Sequence, residues 1–171
     1  NHHLFFADMA LQNDGFGELL PGADAIIFDE AHQLPEIASQ FFSTTLTGRQ
    51  LIELARDTEA EIILSANDSR QIVDITDRLQ AGVQLIRQAL GQELRRAPWP
   101  AHLSPVLDDA ISHVKDSLQT LEEALKIIAV RSKNLENCWR RTVELIARFN
   151  LLTGDTPDDT VHWFETYLQG F

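Results

Sequence analysis

The chain has 171 residues, the length of one ordinary domain or of one domain with part of another. Hydrophobic residues make up 44% and charged residues 23% of it, close to the globular average, which excludes wholesale disorder and a collagen-like chain. The formal net charge of -12 argues against a general nucleic-acid-binding protein, because phosphate contacts depend on Lys and Arg.

The single cysteine, Cys138, excludes a disulfide framework within the chain and predicts a reducing compartment. No run approaches the roughly 20 apolar residues of a membrane-spanning helix, and the N-terminus lacks the pattern of a signal peptide. We therefore expect a cytoplasmic protein with no membrane partner. Because the sequence begins at Asn1 without Met, we also expect it to be a piece of a longer chain.

Residues 1–45 consist of short elements. Apolar residues at helical spacing predict a helix over residues 2–12. The continuous apolar run in residues 23–29 ends at Asp29, and such a run is typical of a strand buried on both faces of a parallel sheet. Pro35 predicts the first turn of a short helix that reaches Phe42.

From Thr47 onward the apolar pattern becomes helical. Thr47 is a suitable N-cap for a helix that continues past Ile62, and a second amphipathic helix runs over residues 72–90. The proline-containing stretch 96–100 then predicts a loop.

The most regular pattern lies in residues 107–128, where apolar residues alternate steps of four and three. This 3.5-residue repeat indicates the seam of an antiparallel bundle or coiled coil, and it resumes at Leu135. We predict two long helices folded back near residue 132, with one very long helix as the alternative. Residues 154–159 are expected to end the helical region, and alternation over residues 161–168 predicts a strand. The fold class is therefore mainly α, with a partial α/β segment and short terminal strands.

The sequence Asp29-Glu30-Ala31-His32 follows the apolar run directly. In P-loop ATPases a carboxylate at the end of such a strand holds magnesium, and an adjacent acid orients or deprotonates the attacking water. The simpler alternative is that Asp29 only caps the helix that follows.

Residues 1–5 and 20–34, with a weaker match over 161–171, resemble bacterial DinG-like ATP-dependent DNA helicases. These are relatives of XPD, and the likeness is closest to their YoaA branch. The resemblance implies that Asp29 and Glu30 hold magnesium with ATP as a Walker B pair. It also implies that Glu30 is the catalytic base and that His32 couples nucleotide state to the motor.

The resemblance further implies three regions: a partial motor domain in residues 1–45, a helical Arch domain in residues 46–158, and a strand in residues 159–171 that returns toward the motor. The implied cofactors are ATP and Mg²⁺, with an iron–sulfur cluster held upstream of Asn1 and none bound here. The implied partner is single-stranded or forked DNA, in a DNA-repair role. Because no G-x-x-x-x-G-K-[ST] motif occurs in the sequence, we expect the chain alone to be inactive.

Basic residues in the helical region are candidates for DNA contact, although a solvated helical face explains them equally well. They are Arg95, Arg96, Arg131, Lys133, Arg140 and Arg141. The acidic charge lies mainly at the two ends of the chain, so the objection to DNA binding loses its force for the helical region.

Two alternatives remain from the sequence. The helical region is a protein-interaction module with no catalytic role, or residues 61–67 form the next strand and S-A-T-like motif of an ordinary helicase motor, with no inserted domain.

Overall fold

The computed structural model of the chain describes residues 1–13, 15, 17–100, 102–154 and 160–168, and the backbone alone at Asn67. The chain divides into two compact units, Asn1–Thr44 and Thr45–Phe171. Two predictions fall partly outside the described residues. They are the end of the helical region, at residues 155–159, and the last part of the C-terminal match to the helicase family, at residues 169–171.

The first unit contains two helices that pack on each other, α1 (His2–Asn13) and α2 (Leu34–Phe42). Both helices were predicted from their apolar spacing and, for α2, from Pro35. Aromatic rings fill the space around them: the ring centroids of Phe5 and Phe28 lie 4.9 Å apart, and those of Phe6 and Phe41 lie 6.4 Å apart. The buried carboxylate of Asp8 accepts hydrogen bonds from the backbone N–H groups of Leu19 and Leu20, which ties the following loop to α1.

The interior strand predicted over residues 23–29 is not formed. These residues form no regular secondary structure and belong to no sheet, and Ile27 is 94% exposed. A strand requires a neighbour that accepts and donates its backbone hydrogen bonds. Among the described residues of the first unit, no segment supplies that ladder.

The second unit is built from four long helices, α3 (Gly48–Ser65), α4 (Gln71–Leu90), α5 (Pro105–Ile128) and α6 (Lys133–Thr153). The predicted N-cap is confirmed: the Thr47 hydroxyl accepts from the Gln50 N–H, and the Gln50 side chain accepts from the Thr47 N–H. At α5 and α6 a serine caps the helix without the reciprocal bond: the Ser104 hydroxyl accepts from the Leu107 N–H, and the Ser132 hydroxyl accepts from the Leu135 N–H. The predicted fold-back is also confirmed, because α5 ends at Ile128 and α6 begins at Lys133.

The four helices close a ring in which consecutive helices pack on one another and α6 packs back on α3. The core is aliphatic, and the 3.5-residue seam of α5 supplies much of it, including the fully buried Leu121 and Leu125. Cys138 is buried on α6, where its thiol packs as a small apolar side chain. Among the described residues, no helix combines the length and apolarity needed to cross a membrane.

A two-stranded antiparallel sheet is formed by β1 (Arg95–Pro98), which lies between α4 and α5 in the chain, and β2 (Trp163–Thr166), which follows α6. The strand predicted near the end of the chain is therefore confirmed. The prediction of a loop over residues 96–100 is wrong for residues 96–98, which belong to β1. They form a strand because β2 lies beside them and pairs Arg96 with Glu165 and Pro98 with Trp163. Pro98 is tolerated because both strands are edges of the sheet.

The alternative in which residues 61–67 form a helicase-motor strand is excluded. Residues up to Ser65 belong to α3, and Asn67–Ser69 form a short 3-10 turn. Glu61 lies on the inner side of α3 and is only 7% exposed. The helical spacing of Leu51, Leu54 and Ile62, which is visible in the sequence, continues into this segment and explains why it is a helix and not a strand.

Candidate functional site

The acidic segment lies in the first unit, at a turn between residues 23–28 and α2. Asp29 and Glu30 form a bend, and Ala31–Gln33 form a 3-10 turn that leads into the helix. The backbone N–H of Glu30 donates to Asp29 Oδ1 at 3.0 Å, and the N–H of Gln33 donates to the carbonyl of Glu30 at 3.0 Å. Both carboxylates are thus held at the head of one tight turn.

Glu30 has a left-handed backbone, with φ of 53° and ψ of 43°. Among the described residues it is the one non-glycine with positive φ. A non-glycine residue in this region costs on the order of 1 kcal/mol or more, and such strain concentrates at functional positions. The strain falls on the residue that the sequence predicts as the catalytic base.

His32 lies next to the same carboxylate. Its Nδ1 atom is 3.3 Å from Glu30 Oε2, and both side chains are more than half exposed. An exposed pair of this kind adds little stability. The contact therefore places His32 and Glu30 side by side and contributes little to holding the fold.

Asp29 and Glu30 line an open cavity of about 950 Å³ within the first unit, together with residues of α1 such as His2 and Phe5. Among the described residues, no group of three or more His, Cys, Asp or Glu side chains is placed to hold a metal ion. Two adjacent carboxylates nevertheless fit the protein share of a magnesium site, because Mg²⁺ commonly takes one or two carboxylates and completes its shell with phosphate and water.

The charge of the first unit limits what it can bind by itself. Residues 1–44 include seven Asp or Glu residues and no Lys or Arg. A nucleotide triphosphate is strongly anionic, and its negative charge requires cationic partners. Those partners must come from outside residues 1–44.

The six basic candidates for DNA contact all lie in the second unit, but the structure does not gather them. Arg95 and Arg96 are on β1, beyond the end of α4, whereas Arg131 and Lys133 lie at the turn between α5 and α6. A helix of 21 residues such as α6 is about 30 Å long, so the two groups lie at opposite ends of the bundle.

Four of the six basic candidates are already engaged within the unit. Arg131 Nη1 lies 2.6 Å from Asp68 Oδ1, and Arg141 pairs with Asp57 of α3. Arg95 and Arg96 lie over aromatic rings of β2. Lys133 and Arg140 are exposed and form no ion pair with another described residue, which matches the solvated-face alternative.

Sequence reasoning missed one feature at the end of the bundle that carries the α5–α6 turn. The buried Glu61 accepts hydrogen bonds from Ser132 Oγ at 2.8 Å and Asn134 Nδ2 at 3.1 Å, and from the Ser65 hydroxyl. These donors, Ser65 first, lower the pKa of Glu61 below its usual range. The sequence held one signal of this feature: Glu61 is a charged residue at a position that the apolar spacing of α3 places on its buried side.

The acidic turn and the mainly helical second unit are the features expected of a segment of a DinG/XPD-like helicase. The chain is 36% identical over 167 residues to the ATP-dependent DNA helicase YoaA of Haemophilus influenzae, covering 96% of this chain and 26% of that protein. It is 37% identical over 172 residues to the ATP-dependent DNA helicase YoaA of Escherichia coli K12, covering 100% of this chain and 27% of that protein.

These two proteins confirm the predicted resemblance: along its whole length the chain is similar to part of YoaA-type helicases. It spans about a quarter of their length. No family model matches the chain, and no solved structure matches it.

Proposed function

We propose that the chain is the segment of an ATP-dependent DNA helicase that carries the Walker B residues of a DEAH box and a helical Arch-type insertion. The whole-length similarity to two YoaA helicases carries this proposal. The division into units Asn1–Thr44 and Thr45–Phe171 supports it, since it lies next to the expected boundary between residues 45 and 46. A cytoplasmic location follows from the proposed activity on chromosomal DNA.

In this proposal Asp29 contributes a carboxylate to magnesium, and Glu30 accepts the proton of the water that attacks the γ-phosphate. Magnesium, when bound, neutralises charge that develops on the phosphates. The tight turn holds the two carboxylates adjacent, and the exposure of Glu30 leaves its oxygen atoms free to meet a water. In the same proposal His32 responds to whether that carboxylate is engaged, and its distance of 3.3 Å from Glu30 supports this role.

Other parts of the helicase must complete the ATPase site. The chain has no P-loop motif, and its first unit has no basic side chain for the phosphates. An iron–sulfur cluster, if the full helicase holds one, needs cysteines outside this chain, because Cys138 is its one cysteine and is buried in α6. The proposed substrate is DNA with a single-stranded region.

ATP hydrolysis by the full-length helicase tests these roles. Glu30→Gln keeps the size of the side chain but removes the base, and we expect kcat to fall by about 100-fold or more. Glu36→Gln, on the exposed first turn of α2, is the matched control and should leave kcat unchanged. The purified 171-residue chain should show no turnover. Turnover by the chain alone that Glu30→Gln abolishes would contradict the proposal, as would full activity of the full-length Glu30→Gln protein.

A further inference from the structure

The segment that leads to the acidic turn is anchored at its two ends. Residues 21–27 are all exposed, whereas Leu20 before them and Phe28 after them are half-buried. Among the described residues of the first unit, no strand pairs with this segment. Its course, and with it the place of the acidic turn in this unit, therefore depends on what holds the two ends.

The first anchor is the carboxylate of Asp8 on α1. Asp8 is 6% exposed, and its Oδ1 atom accepts from the backbone N–H groups of Leu19 and, at 3.1 Å, of Leu20. Its Oδ2 atom accepts from Gln12 Nε2 at 2.7 Å. Burying a carboxylate is costly unless its oxygen atoms are hydrogen-bonded, and these three donors meet that need where residues 1–44 hold no Lys or Arg. One side chain thus fixes the loop at the start of the segment.

The second anchor is aromatic and lies directly before Asp29. The ring centroid of Phe28 is 4.9 Å from that of Phe5, in an edge-to-face arrangement, and 5.8 Å from that of His2. Edge-to-face pairs have a preferred geometry, so they orient a ring as well as hold it. Because the backbone of Asp29 continues from Phe28, α1 also fixes the point at which the acidic turn begins.

Both anchors come from neighbouring positions of α1. Phe5 and Asp8 are three residues apart, which places their side chains next to each other on a helix surface. Both line the open cavity of the first unit, and Asp29 and Glu30 line it as well. One helix therefore forms a wall of this cavity and also sets where the two candidate catalytic carboxylates stand.

We propose that Phe5 and Asp8 are positioning residues for the acidic turn. They hold the Asp29 and Glu30 carboxylates in the place where a magnesium ion and an attacking water are engaged, without touching either. The inference rests on the proposed function and gives a role to two side chains that have none in it. Placement has a large effect on rate, because a misplacement of about 1 Å in an active site can cost about 100-fold.

ATP hydrolysis by the full-length helicase tests this role. Asp8→Ala and Phe5→Ala should each lower kcat by about 10- to 100-fold. The KM for ATP should change by less than about twofold, because the cationic partners of the phosphates lie outside residues 1–44. Asp24→Ala removes an exposed carboxylate from the anchored segment itself, so it is the matched control and should keep both constants.

The magnesium dependence separates misplacement from a loss of folded protein. Side chains that orient metal ligands typically contribute 10- to 100-fold to metal affinity, so Asp8→Ala should raise the magnesium concentration for half-maximal rate by about 10-fold. A smaller folded fraction would lower kcat but leave that concentration unchanged. Asp8→Asn keeps an oxygen acceptor for the Leu19 and Leu20 N–H groups and should recover most of the lost kcat.

Hydrogen exchange, followed by mass spectrometry without ATP or magnesium, tests the first anchor by itself. Asp8→Ala removes the acceptor of two backbone N–H groups, so peptides that contain Leu19 and Leu20 should exchange about 10-fold faster. Peptides from α3 to α6 should exchange as in the wild type, and Asp8→Asn should restore most of the protection. Equal exchange of the Leu19 and Leu20 peptides in wild type and Asp8→Ala would overturn this anchor.

The positioning role and the ATPase proposal can fail separately. A wild-type kcat and magnesium dependence in either alanine variant would overturn the role of that residue. If Glu30→Gln lowers kcat while Asp8→Ala and Phe5→Ala do not, the Walker B assignment stands and the positioning role falls. If Glu30→Gln is fully active, the ATPase role of the turn falls even where Asp8→Ala speeds exchange at Leu19 and Leu20, and the anchor is then structural only.

Discussion

The carboxylate of Glu61 on α3 accepts a 2.8 Å hydrogen bond from Ser132 Oγ, although the two residues are 71 positions apart. The same hydroxyl oxygen accepts from the N–H of Leu135 at 3.1 Å and thereby caps α6. One serine thus joins the end of α3 to the start of α6, and a buried carboxylate becomes part of the turn that folds the bundle back on itself.

This relationship predicts an acid-dependent loss of stability. The pKa of Glu61 is lowered from 4.5 in the folded chain, chiefly by Ser65 and then by Ser132 and Asn134. A lowered folded-state pKa stabilises the fold above about pH 4.5, and that contribution disappears as the pH falls through the folded value. We expect Glu61→Gln to lower the free energy of unfolding near pH 7 and to flatten its decline in acid.

Urea denaturation as a function of pH measures this effect. Glu136→Gln, on the exposed side of α6, is the control and should follow the wild-type curve. A Glu61→Gln protein with the wild-type pH dependence would show that the three hydrogen bonds do not hold the ionised form.

Gly82 of α4 lies in close contact with α5 and leaves no room for a larger side chain. A Cβ atom at this position would lie 2.7 Å from Val114 Cγ2 and 2.9 Å from His113 Cδ2 of α5. Gly→Ala ordinarily stabilises a helix by about 1 kcal/mol, but overpacking a buried contact costs about 1 to 3 kcal/mol. We therefore expect Gly82→Ala to lower the free energy of unfolding rather than to raise it.

A double-mutant cycle identifies the cause. Val114→Ala removes the nearest methyl groups and leaves space for the new Cβ atom, so the double variant should lose less stability than the sum of the two single variants. Additive losses in urea denaturation would indicate that Gly82 is needed for some reason other than its contact with Val114.

Cys138 should be chemically silent in the folded chain. It is 5% exposed, and burial raises the pKa of its thiol, so little reactive thiolate is present or accessible. We expect a disulfide reagent to label the native protein orders of magnitude more slowly than the unfolded protein, as followed by absorbance. Ile127→Cys in a Cys138→Ala background puts the thiol at an exposed site on α5 and should react at once. Equal rates for both thiols would place Cys138 at the surface.

Local patterns were sufficient for most of the helices. Thr47 and Ser132 act within one turn of their own helix, and the 3.5-residue seam of α5 follows from which side chains can share one face. The acidic segment at Asp29 and Glu30 was likewise recognisable, because a motif is a local string. The left-handed backbone of Glu30 was not recognisable from the sequence. An acidic residue before a helix is equally compatible with an ordinary helix cap, in which its backbone is not left-handed.

The helices, the Thr47 cap, the fold-back near residue 132 and the likeness to a helicase family follow from local sequence, because each depends on residues within a few turns of one another. Three other features depend on contacts across the fold: residues 23–29 stay unpaired, Arg95–Pro98 form a strand, and Arg96 meets Trp163. Strand pairing and buried polar contacts join residues tens of positions apart, and their free energy depends on which partner the rest of the fold brings into reach.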